Sequence, residues 1–393
     1  MASPTLLVYL ETTPGNYVQV GTQTINVDVN QPFDRNNDSF LAGTASFTFT
    51  DATGAFNPAN ASSTYGQYMV PMQKVMIKAT YNSNTYFIFD GWSQAFSYRP
   101  AKDGNVATMT INAIDGLGIL AQTNISNVFY YQTAGQTTGY RIYGILLTAQ
   151  YYGAPSMPSI IMVGGTTVQA DPGTNRTALQ AMQTVDNSEN GALFYSATGF
   201  LYWLSRQEIY KSSSATPYIF NDDGTGIKYL DVTFAYDTDF ISNYVTVAPP
   251  TLAAQSIYST TSIADYFQRN LYRGDVIMDT TDDALNQAKS LLIGRKDPIL
   301  RITNFSLNAD GSDDTQTTAA LAINYYSPVK VTRHDPSGAV ITKNLYCVGF
   351  TWKITPTTWK VTIQTAEPDL YGFVLDKTYP LAGGILGTNQ LTY

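Results

Sequence analysis

Along the first third of the chain, apolar residues gather in short runs, several of which alternate apolar with polar positions: 6–10, 17–20, 25–29, 45–49, 74–81, 86–92 and 107–113. Each run is rich in β-branched and aromatic residues and bounded by Gly, Pro, Asn or Asp, the pattern of strands separated by turns. In Thr44-Ala45-Ser46-Phe47-Thr48-Phe49-Thr50 the apolar side chains share one face. Lys74-Val75-Met76-Ile77-Lys78 is a strand with cationic ends. Strands at this spacing predict a β-barrel or sandwich over residues 1–125, with Asp115-Gly116-Leu117-Gly118-Ile119-Leu120 turning the chain out of it.

The period changes near residue 126. Ile142, Ile145, Leu146 and Ala149 predict a helix over 138–152 that ends at Gly153, with Pro155 beyond. A short strand at 160–163 follows. A second helix, 176–185, capped by Thr174 or Asn175, puts Ala178, Leu179, Met182 and Val185 on one face. Runs 192–195 and 200–204 form a hairpin across Ala197-Thr198-Gly199. Residues 126–211 therefore read as a small α/β module.

Strands return at 231–234, 244–248, 300–307, 329–333, 346–355 and 359–365. One helix, about 282–294, interrupts them, with Thr281 as its N-cap and Ala284, Leu285, Ala288, Leu291 and Leu292 inward; a helical turn near 262–267 is also expected. Residues 212–381 read as a second β-barrel, and the Gly-rich residues 382–393 as an exposed arm. The predicted fold class is mainly β with a small peripheral α/β module. The two outer domains are alike in class, with no clean sequence repeat between them.

Composition narrows the function. Of 393 residues 44% are hydrophobic and 13% charged, with 29 Tyr, 18 Phe and 4 Trp, so the chain builds real cores. A single histidine, His334, and a single cysteine, Cys347, exclude a His-rich metal site, a zinc ribbon and a disulfide framework. Twenty-two Lys and Arg against thirty Asp and Glu give a net charge of −8, which argues against gripping nucleic acid by neutralising phosphates. The N-terminus has no basic region before an apolar run, and no window approaches the ~20 apolar residues of a membrane span. The chain reads as soluble and unprocessed.

Candidate chemistry is sparse. His334 precedes Asp335-Pro336-Ser337-Gly338, which is turn chemistry, so a hairpin-tip histidine is expected rather than a member of a Ser–His–Asp triad. Cys347 alternates with Tyr346 and Val348 in a strand and reads as a small buried hydrophobe. Asp310-Gly311-Ser312-Asp313-Asp314 and Asn221-Asp222-Asp223-Gly224 resemble calcium loops but lack the full spacing and closing Glu, so both read as acidic turns. A glycan hydrolase working with two carboxylates would draw on Glu189 and Glu208, although Glu189 more simply ends a helix. Five Asn-x-Ser/Thr triplets, Asn60-Ala61-Ser62 among them, are what an Asn- and Thr-rich chain yields by chance. Gly164-Gly165 lacks the following helix of a phosphate loop. No catalytic, cofactor-binding or metal-ligating residue is assigned, and no enzymatic activity is expected. Abundant Tyr, Thr and Asn suit a protein whose work is surface contact.

The order of segments resembles the tail-hub or minor tail proteins of long-tailed bacteriophages, relatives of the baseplate hub of contractile tails. In the first domain, Phe47-Thr48-Phe49-Thr50-Asp51-Ala52-Thr53-Gly54-Ala55-Phe56-Asn57-Pro58 resembles that family's strand and corner. Val70-Pro71-Met72-Gln73-Lys74-Val75, Phe89-Asp90-Gly91-Trp92 and Ala113-Ile114-Asp115-Gly116-Leu117 resemble its later strands and exit. Thr177-Ala178-Leu179-Gln180-Ala181-Met182, Ser188-Glu189-Asn190-Gly191-Ala192-Leu193-Phe194 and Gly199-Phe200-Leu201-Tyr202-Trp203 follow the order of its small module. Asn243-Tyr244-Val245-Thr246-Val247, Pro298-Ile299-Leu300-Arg301, Val348-Gly349-Phe350-Thr351-Trp352-Lys353-Ile354-Thr355-Pro356 and Trp359-Lys360-Val361-Thr362 resemble its second barrel.

The resemblance implies two tail-tube-like barrels per subunit and a homotrimer, whose ring of six barrels joins a hexameric tail tube to the distal tip around the DNA channel. Implied partners are tail tube or distal tail proteins, the tape measure protein and tip fibre or spike proteins, with DNA passing unbound and no membrane. The implied location is the virion tail tip, after synthesis in the host cytoplasm. Receptor binding or lysis would fall to other tail proteins. The alternatives are a glycan- or receptor-binding tail protein using exposed Tyr and Trp, and the carboxylate-dependent hydrolase.

Overall fold

The computed structural model describes residues 3–20, 24–60, 62–102, 105–212 and 215–368; the arm expected at 382–393 lies outside them. The first unit contains β1 (Thr5–Thr13), β2 (Asn16–Val20), β3 (Thr24–Gln31), β4 (Phe33–Asp34), β5 (Ser39–Phe40), β6 (Thr44–Thr50), β7 (Lys74–Tyr81), β8 (Asn84–Arg99) and β9 (Thr108–Ile114). Its sheet runs β3-β6-β9-β8-β7-β1-β2, and β4 pairs with β5 beside it. The two-residue period buries Ala45, Phe47 and Phe49 of β6 and Val75, Ile77 and Ala79 of β7 in one core. Full burial of a side chain such as Phe47 contributes about 1.5–3 kcal/mol.

The module follows as α1 (Gly116–Gln122), β10 (Asn124–Ile125), β11 (Gln136–Thr137), α2 (Thr138–Tyr151), β12 (Ser159–Ile161), β13 (Thr167–Val168), β14 (Arg176–Thr177), α3 (Ala178–Glu189), β15 (Ala192–Tyr195), β16 (Leu201–Leu204) and α4 (Arg206–Ser212). Where a turn was expected, α1 forms, because Asp115 caps it by accepting from the Gly118 N–H at 3.1 Å. The cap of α3 is Thr177, not Thr174 or Asn175. Thr177 and Gln180 satisfy each other's backbone N–H groups in a capping box. Helices α1, α2 and α3 pack on the sheet β12-β16-β15 around Ile145, Met182 and Trp203.

The second unit contains β17 (Tyr218–Asn221) and β18 (Asp231–Ala235), then an insertion of β19 (Tyr244–Val247), β20 (Gln255–Tyr258), α5 (Thr260–Tyr266), β21 (Asn270–Arg273) and α6 (Thr281–Arg295). It resumes with β22 (Arg301–Asn308), α7 (Asp314–Ala322), β23 (Pro328–His334), β24 (Val340–Ile354) and β25 (Trp359–Ala366). The strand expected at 244–248 and the helix expected at 282–294 thus leave the second β unit. They build a separate sheet, β20-β19-β21, whose core of Val245, Val247, Met278, Ala284 and Ala288 is its own. Helix α7 was not expected: it starts inside the acidic run read as a turn, capped by Asp313, which accepts from the Gln316 N–H at 3.0 Å.

Both units use one strand order. The path β3-β6-β9-β8-β7-β1 of the first is repeated as β18-β22-β25-β24-β23-β17 in the second, with strands met in the same order along the chain. The long strands match in detail, since β8 shifts register against β9 between Ser93 and Ala95, and β24 against β25 between Cys347 and Gly349. The outermost strands differ: β1 runs antiparallel to β7, whereas β17 runs parallel to β23.

Between the units, β24 pairs antiparallel with β3, from Phe350 opposite Gln31 to Ile354 opposite Val27. One 13-stranded ladder and one continuous core therefore run through both. Among the described residues, no pairing joins the ends of this path. The barrels suggested by strand spacing are not closed by hydrogen bonds among these residues.

Candidate functional site

The residues singled out for chemistry serve the fold. His334, at the end of β23, lies with Nδ1 2.7 Å from Oδ1 of Asp222, which also accepts from the His334 N–H at 3.1 Å and pairs with Arg333 at 3.0 Å. Slight burial pushes the Asp222 carboxyl up, but the hydrogen bonds from His334 outweigh it and hold the group below the usual range. The partner of His334 is therefore Asp222 across the β17–β23 pair, not Asp335. Asp335 closes its own hairpin tip, where the Ser337 N–H reaches Oδ1 at 2.8 Å and Gly338 takes φ +89°. Cys347 is fully buried in β24, and burial raises its thiol pKa, away from a nucleophile.

Glu189 ends α3 and is also buried. Its carboxylate accepts from the Thr138 hydroxyl and from the N–H groups of Gly165 (3.1 Å) and Thr166 (3.3 Å), tying the Gly164-Gly165 turn to the helix. Burial pushes its pKa up. One turn back, Asp186 accepts from Trp203 Nε1 at 2.8 Å; burial, with Glu189 adding repulsion, raises its carboxyl to about 7. Glu208 sits on the next helix, α4, where it pairs with Lys211 at the surface. A cleft lined by Asp38, Asp186, Asn187, Arg273 and Arg295 has a volume of about 20 Å³, room for a water molecule and not for a sugar ring.

The acidic turns are likewise spent locally. Asp310 accepts from the Ser312 N–H at 2.8 Å, Asp314 from Tyr81 Oη at 2.9 Å, and Asp223 from the Thr225 N–H at 2.8 Å. Among the described residues, no group of three or more His, Cys, Asp and Glu could hold a metal ion, and no helix is long and apolar enough to cross a membrane.

What the molecule does present is surface. On the module, Phe129, Tyr131, Tyr140, Tyr143, Tyr151 and Tyr152 are all exposed and lie ring against ring. Tyr131 stacks on Tyr140 at 5.2 Å, and Phe129 meets Tyr151 edge-on at 5.0 Å. The fully buried Arg141 fixes the loop beneath them, donating to the carbonyls of Tyr131 (2.6 Å), Thr133 (2.9 Å) and Gln169 (2.9 Å). The sheet presents a second kind of surface. Among the described residues, strand β18 has no partner beyond β22, and residues 95–99 of β8 pair with β9 on one side only. Neither feature is visible as a motif. The density of Tyr in residues 129–152 was the available signal for the first.

No protein-family model matches the chain, and no curated protein matches it by sequence. Solved structures do. The tail protein from Neisseria meningitidis MC58 is 14% identical with a TM-score of 0.60, over 94% of this chain and 98% of that one. The 43 kDa tail protein of prophage MuSo2 from Shewanella oneidensis is 12% identical with a TM-score of 0.54, over the same shares. At such identities the likeness is one of fold: over 94% of its length this chain has the mainly β architecture of these tail proteins.

Proposed function

We propose that this chain is a structural tail-tip or baseplate-hub protein of a bacteriophage, three copies of which close into a ring of six β units around the DNA channel. The reading is carried by one observation: a single chain holds two β units of the same strand order joined edge to edge. Three such chains offer six alternating positions, which matches a threefold tip to a sixfold tube. The tail-protein fold of the whole chain supports the same reading. A net charge of −8 per chain suits a channel that DNA traverses without counterion-release binding. Neighbours in this reading are tube, tape-measure and tip fibre or spike proteins, and the site of action is the virion. No catalytic step belongs to it; incubation with host polysaccharide should release no reducing sugar. Light scattering on concentrated protein tests the assembly, with the mass of three chains expected; a clean monomer would overturn it.

A second reading rests on the aromatic face of the module. Exposed, mutually braced tyrosines form a stacking platform for neutral sugars. A saturable change in tyrosine fluorescence with host polysaccharide, lost in Tyr140→Ala, would favour it.

A further inference from the structure

The two units can be superposed by register alone. Their matched bulges align Ser93 with Cys347, so Phe96, Ser97, Tyr98 and Arg99 of β8 stand where Phe350, Thr351, Trp352 and Lys353 stand in β24. Phe47 and Phe305 face Ile111 and Ile363, and are faced in turn by Val27 and Val232. Counted along the strand from Val27 and Val232, Asp28, Val29, Asn30 and Gln31 of β3 correspond to Thr233, Phe234, Ala235 and Tyr236, the β18 edge and the residue after it; the extra residue at this step, Thr303, lies in β22, and Phe234 still packs on the core.

The side chains repeat with the backbone. Thr48 and Thr110 share a hydroxyl hydrogen bond at 2.8 Å, and Ser306 and Thr362, at the matched places, share one at 3.0 Å. In the second unit, Phe350 to Ile354 are paired on both sides, by β25 and by β3, and Phe350, Trp352 and Ile354 are buried. In the first unit the same stretch has one neighbour among the described residues; Ala95, Ser97 and Arg99 are exposed, and Phe96 and Tyr98 only half-buried. The matching absence falls on β18, whose counterpart β3 is covered by β24. Tyr236, beside that edge, is 67% exposed. An unpaired edge bearing aromatic residues is a template for another strand.

We infer that β8 of one copy pairs antiparallel with β18 of the next, in the register of the β24–β3 seam: Phe96 opposite Tyr236, Ser97 opposite Ala235, Tyr98 opposite Phe234 and Arg99 opposite Thr233. This rests on the ring proposed above and names its contact. The occupant of the β8 edge is a second copy of this chain, because the same chain already shows what such an edge accepts. Tyr98 and Phe234 fall on the core face, as Trp352 and Val29 do. Arg99 comes within a diagonal step of Asp231, as Lys353 sits opposite Asp28.

The test is cross-linking of the full chain, whose one native thiol, Cys347, is buried. In a Ser97→Cys/Ala235→Cys variant, a short bis-maleimide should give covalent species of up to three chains. Asn30→Cys/Thr351→Cys, across the seam seen within one chain, is the internal control and should cross-link without gain in mass. Ser97→Cys/Asp231→Cys places the thiols about 13 Å out of register and should not react. A trimer by light scattering in which the control cross-links and Ser97→Cys/Ala235→Cys does not would overturn the ladder and leave the ring standing. A monomer would remove both. Cross-linking of the out-of-register pair in preference to the aligned pair would also overturn the ladder.

Discussion

Ser93 and Cys347 make the same pair of backbone hydrogen bonds with the turn ahead of their hairpins. The Ser93 N–H donates to Gln73 O at 2.8 Å while its carbonyl accepts from the Met72 N–H at 2.7 Å. Cys347 donates to Ser327 O at 3.2 Å and accepts from the Tyr326 N–H at 2.8 Å. Met72 and Tyr326 also share a backbone state that non-glycine residues seldom adopt, with φ of 66° and 58°. A strained conformation repeated at matched places marks one design used twice.

Matched places should then carry matched weight. Phe47 and Phe305 are both fully buried, facing Ile111 and Ile363. Phe47→Ala and Phe305→Ala should each cost about 3–5 kcal/mol, read as similar falls in melting temperature. A large loss at one and almost none at the other would contradict the shared core.

Stability should depend on pH through Asp186. Burial raises its carboxyl to about 7 from an ordinary value of 3.8, so the folded state holds a proton that the unfolded state releases. The stabilising contribution is full below about 4 and lost as pH rises towards about 7. Asp186→Asn keeps an oxygen for Trp203 and carries no charge. Melting temperatures between pH 4 and 8 should fall less steeply in the variant; parallel curves would refute the assignment. Asp115, also raised to about 7 by burial, leaves a residual slope in both.

The inserted sheet is held by two arginines that reach into the first unit. Arg295 is buried and pairs with Asp38, and Arg273 donates to Asn37 O at 3.1 Å. Arg295→Ala leaves the half-buried Asp38 without that partner and should cost about 1.5–3 kcal/mol locally. Amide exchange should rise across β19, β21 and α6 while β6 and β9 keep their protection. Uniform acceleration would mean the insertion has no stability of its own.

His334→Ala provides a contrast. Its contact with Asp222 is largely exposed, so the loss should stay under about 1 kcal/mol. The assembly's mass should not change, and a dissociated ring would give the histidine a role beyond its hairpin.

Much of this architecture was legible in the chain because strand period and turn chemistry are local. Seven of the nine strands of the first unit, and helix α2, follow from residues within a few positions of one another. The insertion was not legible: Tyr244-Val245-Thr246-Val247 has the same β chemistry as a strand of the large sheet, and its membership is decided by α6 packing on it. Helix α7 was hidden because Thr315-Gln316-Thr317-Thr318-Ala319-Ala320 buries Gln316 and Thr317 with the alanines and so lacks an apolar stripe. The repeat left only scattered matches, Phe47 with Phe305 and Ile111 with Ile363 among them, too few and too far apart to show as a repeat. Elsewhere Trp92 matches Tyr346 and Met72 matches Tyr326, so at these places position and backbone state persisted while identity did not. The expectation for Glu189 as a helix end held, but its buried neighbour Asp186 was missed because depth is not written in spacing.

The β24–β3 seam joins two stretches of one polypeptide, so dilution cannot part them. A seam of the same make between separate chains has no tether and answers to concentration. A closed assembly built from both kinds would alternate permanent and reversible joints, and the smallest piece it could shed or exchange is the whole polypeptide.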